Sequence, residues 1–238
     1  MVDFTLSQEP PVQARYIRNF PALSFQDMQV LSESRVGVIG CGGLGGFVVE
    51  ILSRIGLGEL VIADFDILEA SNLNRQLLAN EHNLGTLKVM AAKKRLQEIN
   101  SQTRVLTFDE RFSDSNAASI LEGCSAVIDA LDDIPSRLIL QKHCHLSGIP
   151  LIHGAIGGWC GQVMTILPDD IGLESLYEVE EESILDSPGN LVFLAAAIAS
   201  LQCSEAIKIL IRRGSTLQSH LLGIDFLQNE ISCIPLIR

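Results

Sequence analysis

Seven residues constrain this chain more than any others. The run Gly40-Cys41-Gly42-Gly43-Leu44-Gly45-Gly46 comes after an apolar, strand-like stretch at 35–39 and is itself succeeded by an amphipathic stretch at 47–55. Strand, glycine turn and helix in that order set a nucleotide phosphate on a helix N-terminus, where unpaired amides meet the anion. Gly40-x-Gly42-x-x-Gly45 matches the dinucleotide fingerprint, and Asp64 stands at about the spacing of the acidic residue that takes a ribose hydroxyl. The additional glycines, Gly43 and Gly46, point to close backbone approach to phosphate rather than packing alone. A tight turn with no ligand is the bland alternative, and the residues downstream of the turn weaken it.

Strand signals at 35–40, 59–64, 104–108, 126–130 and 150–154 alternate with helix signals at 43–55, 88–99, 115–121 and 134–146. That alternation predicts an α/β fold, a Rossmann-like and mostly parallel sheet with helices on both faces, whose active edge lies at the C-terminal ends of the strands. A short helical arm is expected over 16–32, ahead of the first strand. After Gly154 the pattern changes. Gly157, Gly158 and Gly161 mark a hairpin into a strand at 162–167, and a long helix runs from Asn190 to about Arg212, its apolar first half expected to be buried. Antiparallel strands at 215–226 and 230–237 close the C-terminal third. The acidic stretch 169–187, with Glu178, Glu180, Glu181 and Glu182, carries little periodicity and reads as a mobile connection. The expected organisation is one domain over 1–238: an arm at 1–34, a nucleotide-binding half at 35–155 and a partner-binding half at 156–238.

Composition excludes several classes. A formal net charge of −12 disfavours nucleic-acid backbone binding, which needs clustered Lys and Arg. The six cysteines, Cys41, Cys124, Cys144, Cys160, Cys203 and Cys233, include no C-x-x-C pair, so neither a paired-knuckle zinc site nor a disulfide framework is expected. The first residues lack a basic and apolar leader, and the longest apolar stretch, 191–201, reads as too short to span a bilayer. A reducing cytoplasm is the expectation.

The candidate chemistry lies in four further places. Asn72 and Arg75 come after the Asp64-Phe65-Asp66 strand end. Arg75 offers a planar fork for phosphate oxygens, and Asn72 a hydrogen bond to phosphate or to a metal's shell, against the alternative of a solvated surface arginine. Lys88 opens a helix, where a cation opposes the macrodipole unless an anion is near. Asp129, Asp132 and Asp133 end the strand at 126–130, and such carboxylates suit magnesium in a phosphate site. Asp133 also suits an N-cap, so the two roles can divide as Asp133 cap and Asp132 ligand. Arg15 and Arg18, far upstream, can reach over this site, over a partner subunit's site, or lie on the surface. None of the five histidines falls in a metal or triad spacing, and none is read as catalytic. Cys41 is read as a small side chain filling a crowded turn.

With these residues in hand the chain resembles the ThiF/MoeB/HesA family, bacterial relatives of ubiquitin-activating E1 enzymes, from about Arg15 to the C-terminus. The resemblance is carried, in order, by Arg15-Tyr16-Ile17-Arg18-Asn19, the glycine turn, Asp64-Phe65-Asp66, Ser71-Asn72-Leu73-Asn74-Arg75-Gln76, Gly85-Thr86-Leu87-Lys88-Val89, Asp129-Ala130-Leu131-Asp132-Asp133, and the segment from Ser200-Leu201-Gln202 to Glu205-Ala206-Ile207-Lys208. It implies an adenylyltransferase that uses ATP and Mg2+ to activate the C-terminal glycine carboxylate of a small ubiquitin-like sulfur carrier (ThiS/MoaD-like, ending in Gly-Gly), giving an acyl adenylate and pyrophosphate. It further implies that Gly40, Gly42, Gly43, Asp64, Ser71, Asn72, Leu73, Asn74, Arg75 and Gln76 hold nucleotide. Arg75 and Lys88 would neutralise phosphate charge, Asp132 would bind magnesium with Asp133 beside it, and Arg18 would be an arginine donated across a homodimer.

The chain departs from the family pattern in three ways. It lacks the two C-x-x-C pairs that hold zinc in many members, so no zinc is expected. It carries no cysteine at 169–187, where relatives place a reactive one, and it has Asn19 and Asp133 where the pattern has glutamine and asparagine. The competing readings are adenylation of a peptide or a modified tRNA, an NAD-dependent oxidoreductase, and a non-catalytic nucleotide-binding scaffold. An oxidoreductase would leave Arg75, Lys88 and Asp132 without a shared purpose.

Overall fold

A computed structural model describes residues 13–170, 172–177 and 189–236. Its frame is one eight-stranded sheet. β1 (Arg35–Ile39), β2 (Glu59–Ala63), β3 (Arg104–Phe108), β4 (Ala126–Asp129) and β5 (Leu151–Gly157) run parallel, and β6 (Cys160–Ile166), β7 (His220–Asp225) and β8 (Glu230–Pro235) add antiparallel strands. The spatial order is β3-β2-β1-β4-β5-β6-β7-β8. The chain leaves β1 towards β2 and later returns to β1's other side as β4. The crevice between those two connections is where ligands bind in open α/β sheets.

Alternation along each strand divides the core. Leu60 and Ile62 of β2 join the layer beneath α2 (Gly43–Ile55), α3 (Lys88–Ile99) and α7 (Val192–Ile211), whereas Val61 and Ala63 join the layer containing residues of α4 (Ala117–Leu121) and α5 (Ile134–Leu146). Helices cover both faces, as the βαβ pattern predicts. The bounds of α2, α3, α5 and β3 coincide with the sequence expectation.

Three elements differ from it. The arm is not one helix: a 3-10 turn, Ala14–Asn19, is separated from α1 (Phe25–Glu33). Pro21 has no amide to give a helix and restricts the residue before it. A new helix then starts at Ser24, whose hydroxyl accepts from the Asp27 amide while the Asp27 carboxylate accepts from the Ser24 amide. Helix α7 ends at Ile211, close to the expected end near Arg212, but the apolar stretch read as too short to span a bilayer is part of a helix that is long and apolar enough by length and composition alone to cross one. It packs instead against α2, β5 and β6. Its Glu205 carboxylate accepts from the Thr165 hydroxyl and the Leu217 amide, both at 2.7 Å, and so ties the helix to the antiparallel part of the sheet. The expected burial of its first half fails at the first turn, where Val192 and Phe193 are exposed and Phe193 lies against Trp159 and Phe226. Finally, the segment expected to be a mobile connection contains a helical turn, α6 (Glu174–Tyr177). Residues 171 and 178–188, with the acidic run, lie outside the described residues.

Candidate active site

The glycine turn is built from backbone contacts that only glycine permits. Gly40 has φ +95°, and a Cβ there would sit 2.4 Å from the Ala130 carbonyl oxygen. A Cβ on Gly45 would sit 2.0 Å from the Gly40 carbonyl oxygen. At Gly42 and Gly43 the surroundings are open: the nearest atoms to an added Cβ are Gln76 Nε2 at 3.6 Å and, at 3.9 Å, Ala195 and the Arg75 stem. Gly42 caps α2 without a side-chain hydrogen bond, so no side chain occupies the anion position at this helix N-terminus. Cys41 is fully buried in the turn, and burial pushes its thiol well up, which fits a packing role.

Asp64 pins the turn to β2. Its two carboxylate oxygens accept from the Cys41 amide at 2.6 Å and the Asp66 amide at 2.8 Å. Burial raises its pKa from the ordinary carboxylate value, against the pull of those amides and of Lys88. Each oxygen keeps a second lone pair, so a ribose hydroxyl remains a chemically suitable donor.

The turn forms one wall of an open cleft at the C-terminal ends of β1, β2 and β4. Of the residues singled out in the sequence, Gly40, Gly42, Gly43, Asp64, Arg75, Gln76, Lys88, Asp132 and Asp133 all line it. Arg75 is half-buried, and its guanidinium donates to the Ser71 carbonyl and to Asn74 Oδ1, both at 3.0 Å. Gln76 is buried and its Oε1 has no hydrogen-bond partner, an orphaned acceptor on the wall of the cleft. Lys88 Nζ lies 2.8 Å from Asp66 Oδ2, so the anion that its helix-terminal position calls for is present within the protein. Asp133 caps α5 through the Ser136 amide at 2.8 Å, and its other oxygen lies 3.8 Å from Arg111. Asp132 is exposed.

Other expected residues lie elsewhere. Ser71, Asn72, Leu73 and Asn74 do not line the cleft. Asn72 Oδ1 accepts from the Glu69 amide within a 3-10 turn, and Ser71 and Asn74 hold Arg75 in place, so this segment presents the arginine rather than forming the wall. Arg18 sits at the other end of the sheet. Its neighbour Asn19 donates to the Ile55 carbonyl at the last turn of α2, and Arg15 donates to Asn100 after α3. The length of α2, roughly 20 Å, separates it from the cleft of its own chain. Asp129 is fully buried, its carboxylate accepting from His153 Nδ1 at 2.7 Å and from the Leu131 amide at 3.0 Å. It is a structural carboxylate, which narrows the metal-suited residues to Asp132.

Sequence reasoning missed several residues of the wall: Phe65, Arg111, whose guanidinium lies 4.1 Å over the Phe65 ring, and Arg137, only 2% exposed. It also missed the buried pair beneath it. The Asp129 carboxylate can only accept, so His153 Nδ1 carries the proton and Nε2 accepts from Gln162 at 3.2 Å. Burial holds His153 below the ordinary histidine range, opposed by Asp129. Below about pH 6.5 the unfolded chain therefore takes up a proton that the folded chain resists, and stability falls with pH until the folded pKa is reached. Denaturant midpoints are expected to drop between about pH 7 and pH 5. In His153→Gln, which keeps a donor for Asp129, that drop is expected to be shallower. Equal slopes in the two proteins would contradict this.

The donor set suits a metal-bound polyphosphate. Four cations (Arg75, Lys88, Arg111, Arg137) face five carboxylates (Asp64, Asp66, Glu110, Asp132, Asp133) along the wall, so a polyanion needs a divalent ion to offset the carboxylates. Among the described residues no group of three His, Cys, Asp or Glu side chains could hold a metal.

Comparison with known proteins agrees with this geometry. The ThiF family matches over residues 14–238. The SAMP-activating enzyme E1 of Haloferax volcanii is 34% identical over 209 residues, covering 86% of this chain and 77% of that protein. The sulfur carrier protein adenylyltransferase of Thermus thermophilus is 33% identical over 226 residues, covering 90% and 83%. A crystal structure of E. coli MccB with MccA-N7isoASN superimposes with a TM-score of 0.84 over 96% of this chain and 73% of that one, at 22% identity, and shares the fold. On its sequence, its sheet order and the cleft over its glycine turn, the chain belongs to the ThiF family and is an adenylyltransferase.

Proposed function

We propose that the protein activates the C-terminal glycine carboxylate of a small ubiquitin-like sulfur carrier, of the ThiS/MoaD kind ending in Gly-Gly, with ATP. A carboxylate oxygen of the carrier attacks the α-phosphorus of ATP. The bond from that phosphorus to the bridging oxygen breaks, and the products are an acyl adenylate and pyrophosphate. The observation that carries the reading is the convergence of Arg75, Lys88 and Asp132, from three separate segments of the chain, on the cleft over the glycine turn. Relatives whose names are SAMP-activating enzyme E1 and sulfur carrier protein adenylyltransferase support the kind of partner.

The chemistry asks little else of the protein. A carboxylate is ionised near neutral pH, so no general base is needed, and catalysis reduces to alignment and charge stabilisation. The α2 N-terminus and Arg75 receive phosphate, Lys88 neutralises phosphate charge, and Asp64 holds the ribose. Asp132 is the residue to hold magnesium, which supplies charge neutralisation on the phosphates when bound. Arg18, a helix length away from its own cleft, serves a second copy of the chain, which makes the working unit a homodimer.

Exchange of radiolabelled pyrophosphate into ATP tests the reading. Exchange is expected with a Gly-Gly-ended carrier and is lost when the last glycine is removed. No exchange with any such carrier would overturn the partner assignment.

A further inference from the structure

Helix α5 carries two buried polar side chains one helical turn apart, Arg137 at 2% and Gln141 at 8% exposure. Both reach α6. The Gln141 side chain accepts from the Leu173 amide and donates to Glu174 Oε2 at 2.6 Å, and Arg137 Nη1 donates to the Tyr177 hydroxyl at 2.9 Å. The short helix α6 is therefore held to α5 at two points.

The Arg137 guanidinium also points the other way. Nε and Nη2 both donate to the Leu131 carbonyl, with Nε at 3.1 Å, and Asp129 lies 3.8 Å away. Leu131 is the residue before Asp132. The guanidinium is a rigid planar fork, so its hold on Tyr177 and its hold on Leu131 are not independent: rotating to follow one partner moves the donors away from the other. Asp133, the residue after Asp132, is fixed as the cap of the same helix. The loop bearing Asp132 is thus set from one side by the α5 cap and from the other by an arginine whose third bond belongs to α6.

We infer that Arg137 is a positioning residue for the adenylation site, coupling the docking of α6 on α5 to the placement of Asp132. This rests on the reading of Asp132 as the magnesium carboxylate. Coupling of this kind is reciprocal, so magnesium-loaded nucleotide favours docked α6 as much as docked α6 favours metal. The docking of α6 is then sensed at the metal position through one side chain.

Tyr177→Phe removes one hydroxyl and keeps the ring. Its test is the affinity for ATP by calorimetry on the full chain, in Mg2+ and in EDTA. The ratio of the two measures the gain due to metal. In Tyr177→Phe that gain is expected to shrink about tenfold, the scale of one hydrogen bond to a charged group, with the affinity in EDTA unchanged. Equal losses in both conditions with a lowered melting temperature mark ordinary destabilisation and overturn the coupling. A gain untouched in Tyr177→Phe but abolished in Asp132→Asn also overturns it, and leaves the adenylation reading standing. A gain untouched in Asp132→Asn removes the metal assignment, and the coupling with it.

Discussion

Lys88→Ala is expected to lower ATP–pyrophosphate exchange by about 10²–10³-fold, the scale of losing one preorganised charge-stabilising group, while the protein stays folded. Lys88 is 6% exposed and lies at the start of α3, where the helix dipole disfavours a cation. Asp66 offsets that cost in the absence of nucleotide, at 2.8 Å. The Asp66 side chain is 45% exposed, so losing Lys88 leaves it to water rather than stranded in the core, and the stability cost is small. The Lys88 amide, which donates to the Asp66 carbonyl at 2.9 Å, is kept in the variant, so the local backbone holds. Activity and stability should therefore separate. Steady-state exchange together with a thermal melt measures both, and unchanged turnover would remove Lys88 from the mechanism.

Gly45→Ala is expected to abolish measurable ATP binding and to destabilise the fold by about 1–3 kcal/mol, the range for forcing a methyl into a packed site. The added Cβ would lie 2.0 Å from the Gly40 carbonyl oxygen. That oxygen is backbone, so the turn itself has to move. Gly46, the next residue of the same helix, does not line the cleft and faces Leu78 instead of the phosphate position expected of it, so it is the internal control. Its Cβ would meet Leu78 Cγ at 3.4 Å, an ordinary contact, and alanine is the better helix former by about 0.5–1 kcal/mol. Calorimetric ATP titration and denaturant melts of both variants should show binding lost at position 45 and retained at 46. Loss at both positions, or at neither, would show that the turn does not act through close backbone contact.

Legibility in the sequence depends on whether a signal is local. The glycine turn announces itself because a strand, several glycines and a helix are contiguous in the chain. The coinciding bounds of α2 and α5 reflect strong local punctuation: a glycine turn before α2, Gly56 as a left-handed cap after it, Asp133 capping α5 and Pro135 in its first turn. In the arm, helical periodicity runs across Pro21 and masks the break that the proline imposes. The stretch read as too short for a bilayer stops at 201 because Gln202 and Glu205 are polar in type. Both are nevertheless buried and bonded, Gln202 to the Asp129 carbonyl at 2.7 Å and Glu205 to Thr165 and Leu217.

In the site, residues beside strand ends are legible, since the topology brings strand ends to one rim. The Ser71–Asn74 segment is legible as part of the neighbourhood but not in its role. Only the hydrogen bonds of Arg75 show that it presents the arginine. Phe65 and Arg111 meet through tertiary packing between the loops after β2 and β3, which no local pattern encodes. Arg137 does leave a signal. It is a cation in the first turns of α5, the same conflict with the helix dipole that draws attention to Lys88. The His153–Asp129 pair joins the last residue of β4 to its register partner inside β5, which needs the pairing of the two strands to be known.

On this account Arg75, Lys88 and Asp132, from three separate segments of the chain, meet around one triphosphate over the glycine turn. A crystal structure with a non-hydrolysable ATP analogue and Mg2+ tests it most directly. The phosphates are expected against the Gly42–Gly43 amides with Arg75 and Lys88 in contact and the metal on Asp132. A triphosphate bound away from the turn, with those three side chains pointing to unrelated places, would contradict the account.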